Sequence, residues 1–514
     1  MSRIEKTSKN AIWSLIYTFV SCATGFVARW IFMRTLGETY LGLNGMFTSL
    51  LNVLSFTELG LGTSIAFCFY KPIAERDVQQ IRALLRFCRR AFGLIMLAIA
   101  ALGLAMLPVL PALVKENAAG IAHFYTCYLI ALLNTVSSYL LAYKTCYQTA
   151  YQESYRTTRI STVFWALTSL AQILILLYTR NYLLYLTVTC LMSLAERLFT
   201  SWMLSRWYPI LRQKTDRKLA PETLRAIRMN VEAVILNNIS YTLVNQTDSL
   251  ITSKFIGLSA LGLLSNYTLV RDTVNTLARF LPNSITGSMG NLVATESSDR
   301  QLQVFGIYEL LCSWVYTFCF CGLAVFLSPF LSLVFGADKV VDETAVFFIC
   351  LANLLNAQQT IPDLLRSTHG AYKVGRMLGL VQAAANLLLS VPLAMCWGLR
   401  GVYIGTVLSA LIPYLAKPYL VFRRLYGKSG RSYYKTVIWQ SVSAVGICLA
   451  LWGIRAAVYA RFSGAAAFGL TLVGTGAAFC PLLLLCSARN RYFRQTMALL
   501  LGLVRSLLQR GKTR

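Results

Sequence analysis

About fourteen stretches of some 20 or more mostly apolar residues, joined by short polar turns, run the length of this 514-residue chain, and that pattern leaves few folds open. They lie near 11–33, 41–69, 91–113, 120–143, 160–179, 182–205, 230–252, 260–289, 304–335, 342–365, 377–397, 401–422, 436–459 and 465–486. Lipid offers no partner to a backbone N–H or C=O, so only helices and closed barrels cross a bilayer. The stretches are twice the length of a spanning strand, which makes them helices. With 56% hydrophobic and 13% charged residues, the chain also lacks the charge a water-soluble surface needs. The expectation is an all-α polytopic membrane protein of about 14 transmembrane helices.

The chain also nearly repeats itself. Met33 to Leu43 (MRTLGETYLGL) lies over Ser253 to Leu263 (SKFIGLSALGL), pairing Gly37 with Gly257 and Leu41, Gly42 and Leu43 with Leu261, Gly262 and Leu263. Arg180 and Arg400 share this spacing, and Tyr155-Arg156-x-x-Arg159 recurs a little out of step as Tyr372-Lys373-x-x-Arg376. Two pseudo-symmetric six-helix lobes plus two C-terminal helices follow. The expected divisions are 1–205 for the first lobe, 206–228 for an inner linker helix, 229–426 for the second lobe, 427–486 for the last two spans and 487–514 for a basic amphipathic tail. Duplicated bundles that rock around a midplane site are the architecture of a transporter.

The formal charge of +28 raises the question of nucleic acid, and the distribution answers it. With the N-terminus inside, roughly 35 Lys and Arg fall in inner segments and about 8 in outer turns, the asymmetry that sets membrane topology. Both termini are therefore expected in the cytoplasm, with membrane lipids and not nucleic acid as neighbours. The first apolar stretch carries Arg29 and no small-residue cleavage site, so it reads as a retained helix. The fourteen cysteines are scattered singly and read as small core residues.

Asp77 to Gln80 (DVQQ) resembles a capping box, and Ile81, Leu84, Leu85 and Cys88 then share one face beside four arginines. This predicts an interfacial helix lying on anionic lipid. Residues 221–228 are expected to do the same for the second half. Gly60 with Gly62, and Gly401 with Gly405, are read as places where helices approach closely.

An ionisable residue inside a span costs about 2.5–3.5 kcal/mol on insertion scales, so it marks a cavity or a partner. The candidates are Arg29, Glu58, Lys144, Glu232, Asp248, Arg271, Asp272, Arg279 and Asp363. Arg271 and Arg279 are eight apart, about 80° around a helix, so one broad face can carry both and could hold a phosphate. Pairing of Arg271 with Asp248 and snorkelling of Arg29 are the structural alternatives. Glu58, Asp248 and Asp272 are candidates for gating or ion coupling. The seventh apolar stretch carries Asn237, Asn238, Asn245, Gln246 and Asp248, so it faces protein or water.

Catalytic signatures are missing. Gly427-Lys428-Ser429 lacks the upstream glycine of a P-loop, the two histidines form no ligand pair, and no nucleophile motif is identifiable. The outer connections are too short to carry a catalytic domain. Neither an enzyme, nor a cofactor, nor a metal site is expected. A scaffold recruiting enzymes through basic inner loops is a further reading.

Asp248 to Tyr267 (DSLITSKFIGLSALGLLSNY), Leu41 to Ser64 (LGLNGMFTSLLNVLSFTELGLGTS) with Tyr70-Lys71-Pro72, and Trp397 to Thr406 (WGLRGVYIGT) together resemble bacterial polysaccharide flippases of the Wzx type. These fall within the multidrug/oligosaccharidyl-lipid/polysaccharide exporter superfamily, so the resemblance implies a MATE-like fold in a bacterial cytoplasmic membrane. It also implies transport of undecaprenyl-pyrophosphate-linked oligosaccharide to the outer leaflet in surface polysaccharide biosynthesis. Polysaccharide polymerase and glycosyltransferases would be its partners. The family's cationic cavity would map to Arg29 and to Arg271 or Arg279. The two extra helices resemble those of lipid II flippases. A cation-coupled multidrug exporter, or a flippase for lipid II or teichoic-acid precursors, is the alternative.

Overall fold

The computed structural model describes residues 3–55, 61–116, 120–213, 219, 221–371 and 373–512, and its elements are helical throughout. Its contacts group the chain into two compact units, residues 1–265 and 266–514.

The first unit contains α1 (Arg3–Thr35), α2 (Gly37–Leu54), α3 (Leu61–Ala74), α4 (Val78–Ala105), α5 (Phe124–Ser137), α6 (Tyr139–Ala150), α7 (Tyr155–Thr179), α8 (Tyr182–Trp207) and α9 (Pro221–Ile251). It also holds the start of α10 (Leu258–Ala278). Here α1 packs on α7 and α7 on α8, while α9 lies against α2 and α3. The second unit continues with α11 (Phe280–Thr295), α12 (Ser298–Phe335), α13 (Glu343–Gln358), α14 (Thr360–Thr368), α15 (Leu378–Tyr426), α16 (Arg431–Tyr459), α17 (Gly464–Ser487) and α18 (Phe493–Lys512). Its hub is α12, which touches α11, α13, α16, α17 and α18.

Among the described residues, ten helices are long and apolar enough to cross a membrane. The 49-residue α15 is one of these, and it is bent at Gly398, where φ is +58, into two arms that correspond to two predicted spans. The hairpin closes tightly because Gly401 and Gly405 carry no side chain. A Cβ on Gly401 would stand 1.8 Å from the Leu393 carbonyl oxygen, and one on Gly405 would stand 2.7 Å from Ser390 Cα. The close approach expected there is present. Gly62 by contrast meets, among the described residues, Cys146 Sγ at an ordinary 3.7 Å, and Gly60 lies outside them.

Both copies of the repeat break the helix at the same place. Gly37 (φ +81) follows α1 and opens α2, and Gly257 (φ +130) follows a π-turn at Thr252–Ile256 and precedes α10. Such backbone is costly for any residue with a Cβ.

One expectation is corrected. Asp77 does cap α4, its carboxylate accepting from the Gln80 N–H at 2.9 Å. The helix that follows is not a separate interfacial element. It runs without interruption into the membrane-length α4, and Ile81, Leu84, Leu85 and Cys88 are buried against Ile65, Phe69, Tyr139 and Tyr147. The apolar face is covered by protein, because α3 and α6 extend far enough to reach it. Likewise α9 runs unbroken from Pro221, so residues 221–228 form its first turns.

Candidate functional site: the polar helices of each unit

In the first unit the second copy of the repeat is held by a short loop. Leu258 N–H donates to Glu116 Oε1 at 2.8 Å, Ser253 Oγ donates to the Leu113 carbonyl at 2.9 Å, and Lys115 N–H donates to the Ser253 carbonyl at 3.2 Å. This fixes the start of α10. Thr39 Oγ1 and Ser259 Oγ, equivalent positions in the two copies, lie 3.0 Å apart in hydrogen-bond contact. Arg29 is half-buried on α1 and donates to Ser265 Oγ, which donates in turn to the Gly262 carbonyl at 2.6 Å. The guanidinium is therefore directed onto α10, one turn past Gly262.

On α9, Asp248 is 8% exposed, and Asn245 and Gln246 are half-buried. A helix of this polarity needs protein or water beside it, and α2 and α3 supply protein. Glu58 lies outside the described residues, as do the side chains of Glu232, Asn237 and Asn238.

In the second unit Arg271 pairs with its neighbour Asp272. Its Nε and Nη2 both lie 2.9 Å from Asp272 Oδ1, with Arg271 mostly covered and Asp272 largely exposed. Asn275, one turn on, exchanges two amide hydrogen bonds with Asn353 of α13, at 2.7 and 2.9 Å. Arg279 is exposed at the junction of α10 and α11, where its N–H still bonds the Asn275 carbonyl at 3.1 Å. Arg271, Asn275 and Arg279 thus form a stripe at four-residue spacing, whose middle member the sequence reading passed over.

Two further predicted positions are structural. Asp363 lies 2.9 Å from Lys417 Nζ and 3.1 Å from Arg366 Nη2. Lys144 donates to Ser201 Oγ at 2.6 Å and Ser205 Oγ at 2.7 Å. Besides Lys417, further ionisable residues in apolar helices escaped the sequence reading. Glu196 of α8 accepts from Ser161 at 2.6 Å, Arg197 donates to the Asn134 carbonyl at 2.6 Å, and Glu309 of α12 is buried. Each was visible as a charge in an apolar run.

No protein-family model matches the sequence, and no curated protein resembles it significantly. Solved structures do. A lipid II flippase, MurJ, in an inward closed conformation is matched with a TM-score of 0.66 at 12% identity, over 95% of this chain and 100% of that one. An inward-facing multidrug resistance MATE family transporter of the MOP superfamily is matched with a TM-score of 0.62 at 13% identity, over 80% and 99%. A MOP superfamily transporter from Pyrococcus furiosus, described as having a binding pocket of reversed polarity, gives 0.52 at 14%, over 81% and 96%. The chain has the MATE-like fold of these membrane proteins. Residues 431–487, which make α16 and α17, exceed the twentieth of the chain that the MurJ match leaves out, so that match reaches into the two extra helices.

Proposed function

We propose that this protein is a flippase of the bacterial cytoplasmic membrane that carries undecaprenyl-pyrophosphate-linked oligosaccharide from the inner to the outer leaflet by alternating access. The supporting observation is the Arg271, Asn275, Arg279 stripe on α10, in a fold otherwise like that of lipid II and drug transporters. Cations in a span are retained where an anion or a cavity needs them. In this reading Arg29, Arg271 and Arg279 each give positive charge and N–H donors to the diphosphate, and arginine suits phosphate through its planar fork. Asp272 holds Arg271 until substrate competes for it, and Asp248 and Glu58 couple the cycle to a cation. The amides Asn237, Asn238, Asn245 and Gln246 serve the cavity. Membrane potential, positive outside, favours outward movement of the anionic headgroup by about 2.3 kcal/mol per charge per 100 mV. Both termini are cytoplasmic, and polymerase or glycosyltransferases feed and drain the carrier.

A second reading, a lipid II or teichoic-acid precursor flippase, is favoured by the MurJ match reaching into α16 and α17. The test is depletion in cells, with undecaprenyl-linked saccharides counted in each leaflet and polymer counted at the surface. Inner-leaflet build-up rescued by wild type but not by R271A/R279A supports the flippase, and the sugar that accumulates separates the two readings. Unchanged lipid-linked sugars with altered sensitivity to cationic compounds would instead make the protein a drug exporter.

A further inference from the structure

The Gly427-Lys428-Ser429-Gly430 turn, which fails as a P-loop, lies beside a cavity of about 310 Å³ built wholly within the second unit. That is at the small end of ligand pockets, which run to roughly 300–1,000 Å³. Its basic lining residues are Lys428, Arg431 and Arg491, and Ser429 and Ser432 add hydroxyls. Gly430 is the N-cap of the 29-residue α16. It adopts φ +66, and no side chain caps the first turn of the helix. The N–H groups and dipole of a helix start favour an anion.

A second, independent feature lies in the same wall. Glu309 of α12 lines the cavity and is 2% exposed. Its Oε2 accepts from Gln440 Nε2 at 3.2 Å, while its Oε1 is buried without a hydrogen-bond partner. A buried acceptor left unmatched is costly, so a donor belongs there. One side of the cavity is formed by the Tyr492 ring, which packs closely on Gly306. A Cβ at Gly306 would come within 2.1 Å of that ring, so the glycine makes room for it. Arg491 sits 4.5 Å over the same ring. Lys428 also pairs with Asp299 at 3.0 Å, an exposed contact that water screens and an incoming anion can replace.

We propose that this cavity binds a phosphate ester whose far end carries a hydroxyl or ammonium donor. The phosphate sits against Lys428, Arg431, Arg491 and the first turn of α16, and the donor bonds Glu309 Oε1. Two sources carry this chemistry, a glycerol- or ethanolamine-bearing phospholipid headgroup and a soluble phosphate ester. The cavity is independent of what the protein transports.

The test uses the full chain in phosphatidylcholine nanodiscs. Glycerol 3-phosphate and inorganic phosphate are the soluble probes, read by equilibrium dialysis, and phosphatidylglycerol mixed into the nanodisc is the lipid probe, read by native mass spectrometry. Glycerol phosphate binds more tightly than inorganic phosphate if the source is soluble, and phosphatidylglycerol is retained if it is lipid. In either case K428Q/R431Q weakens binding by about tenfold or more, the scale of a lost charge-assisted contact. E309Q removes the preference for glycerol phosphate or phosphatidylglycerol while inorganic phosphate is unaffected. Thermal unfolding without probe confirms that each variant folds, and R491Q replaces any that does not. Absence of binding by every probe, or binding equal in wild type and K428Q/R431Q, overturns the proposal.

Discussion

Gly42 and Gly262, the matching glycines of the two repeat copies, cross with no space for a side chain on either. A Cβ on Gly42 would stand 1.8 Å from the Leu258 carbonyl oxygen, and one on Gly262 would stand 1.9 Å from the Glu38 carbonyl oxygen. The two contacts are reciprocal, because Glu38 and Leu258 are themselves equivalent positions. A pseudo-twofold relation therefore passes between these helices, and Thr39 Oγ1 with Ser259 Oγ at 3.0 Å lies beside it.

Gly42→Ala or Gly262→Ala has to push α2 and α10 apart, since the obstruction is backbone and cannot rotate away. The expected result is loss of this crossing with the rest of the fold retained. A T39C/S259C pair reports it: the disulfide forms readily with glycine at 42 and 262, and its yield drops several-fold in the G42A background. Equal yields would mean that the crossing tolerates a methyl group. Transport should fall with the yield if this contact belongs to the working cycle.

The crossing was legible as a repeat but not as a contact, and the difference is physical. Alignment of residues 33–43 with 253–263 identifies equivalent positions, whereas which equivalents touch depends on how the chain returns. The same limit explains α4. Periodicity identified the face carrying Ile81, Leu84, Leu85 and Cys88, but nothing local says whether lipid or Tyr147 covers it. The Asp77 cap and the Gly401–Gly405 hairpin were legible because a single turn or a single bend decides each. Arg271 was found because a charge in an apolar run is conspicuous. Asn275 was missed because its partner Asn353 is 78 residues away. Glu309 had a clear local signal that was overlooked.

The Asn275–Asn353 pair joins α10 to α13 by two reciprocal amide bonds. Either single alanine leaves an amide facing an apolar helix, while the double variant removes both. A double-mutant cycle on thermal or denaturant unfolding in detergent should give a coupling of about 0.6 kcal/mol, up to roughly 1.7, the scale measured for hydrogen bonds between membrane helices. Additive effects would show that the pair contributes nothing of its own.

Glu153, in the turn before α7, is 8% exposed. Its Oε1 lies 2.8 Å from Lys6 Nζ, and its Oε2 is 3.1 Å from Arg156 Nε and accepts from Tyr208 at 2.7 Å. Burial pushes its carboxyl up, but the bonds from Lys6 and Tyr208 and the charges of Arg156 and Lys6 together leave it below the ordinary value. A carboxyl lowered in the folded state stabilises above its unfolded pKa, about 4.3, and that stability is lost as pH falls through the folded value. Wild type should therefore be more stable than E153Q at neutral pH, by about 1–3 kcal/mol if the Tyr208 hydroxyl and Lys6 lose their acceptor. The gap should shrink as pH falls below the unfolded value and close once it has passed the folded one. A gap independent of pH would assign the effect to packing.

Asp342 has two separable roles at the start of α13. Its Oδ2 caps the helix by accepting from the Ala345 N–H at 2.9 Å, and its two oxygens accept from Arg400 Nη2 at 2.7 Å and Nε at 2.8 Å. Those arginine bonds, against the opposing effect of burial and with help from the backbone N–H, hold its carboxyl below the usual range. Asparagine caps a helix as well as aspartate does, and an exposed ion pair adds little. Hence D342N should be nearly as stable as wild type at neutral pH, whereas D342A should lose about 1 kcal/mol, the worth of a cap. Because the lowered carboxyl stabilises only above its unfolded pKa, about 3.9, wild type and D342N should converge as pH drops through the folded value. Thermal unfolding of the three proteins in detergent separates the roles: if D342N falls as far as D342A, the Arg400 pair and not the cap holds the start of α13.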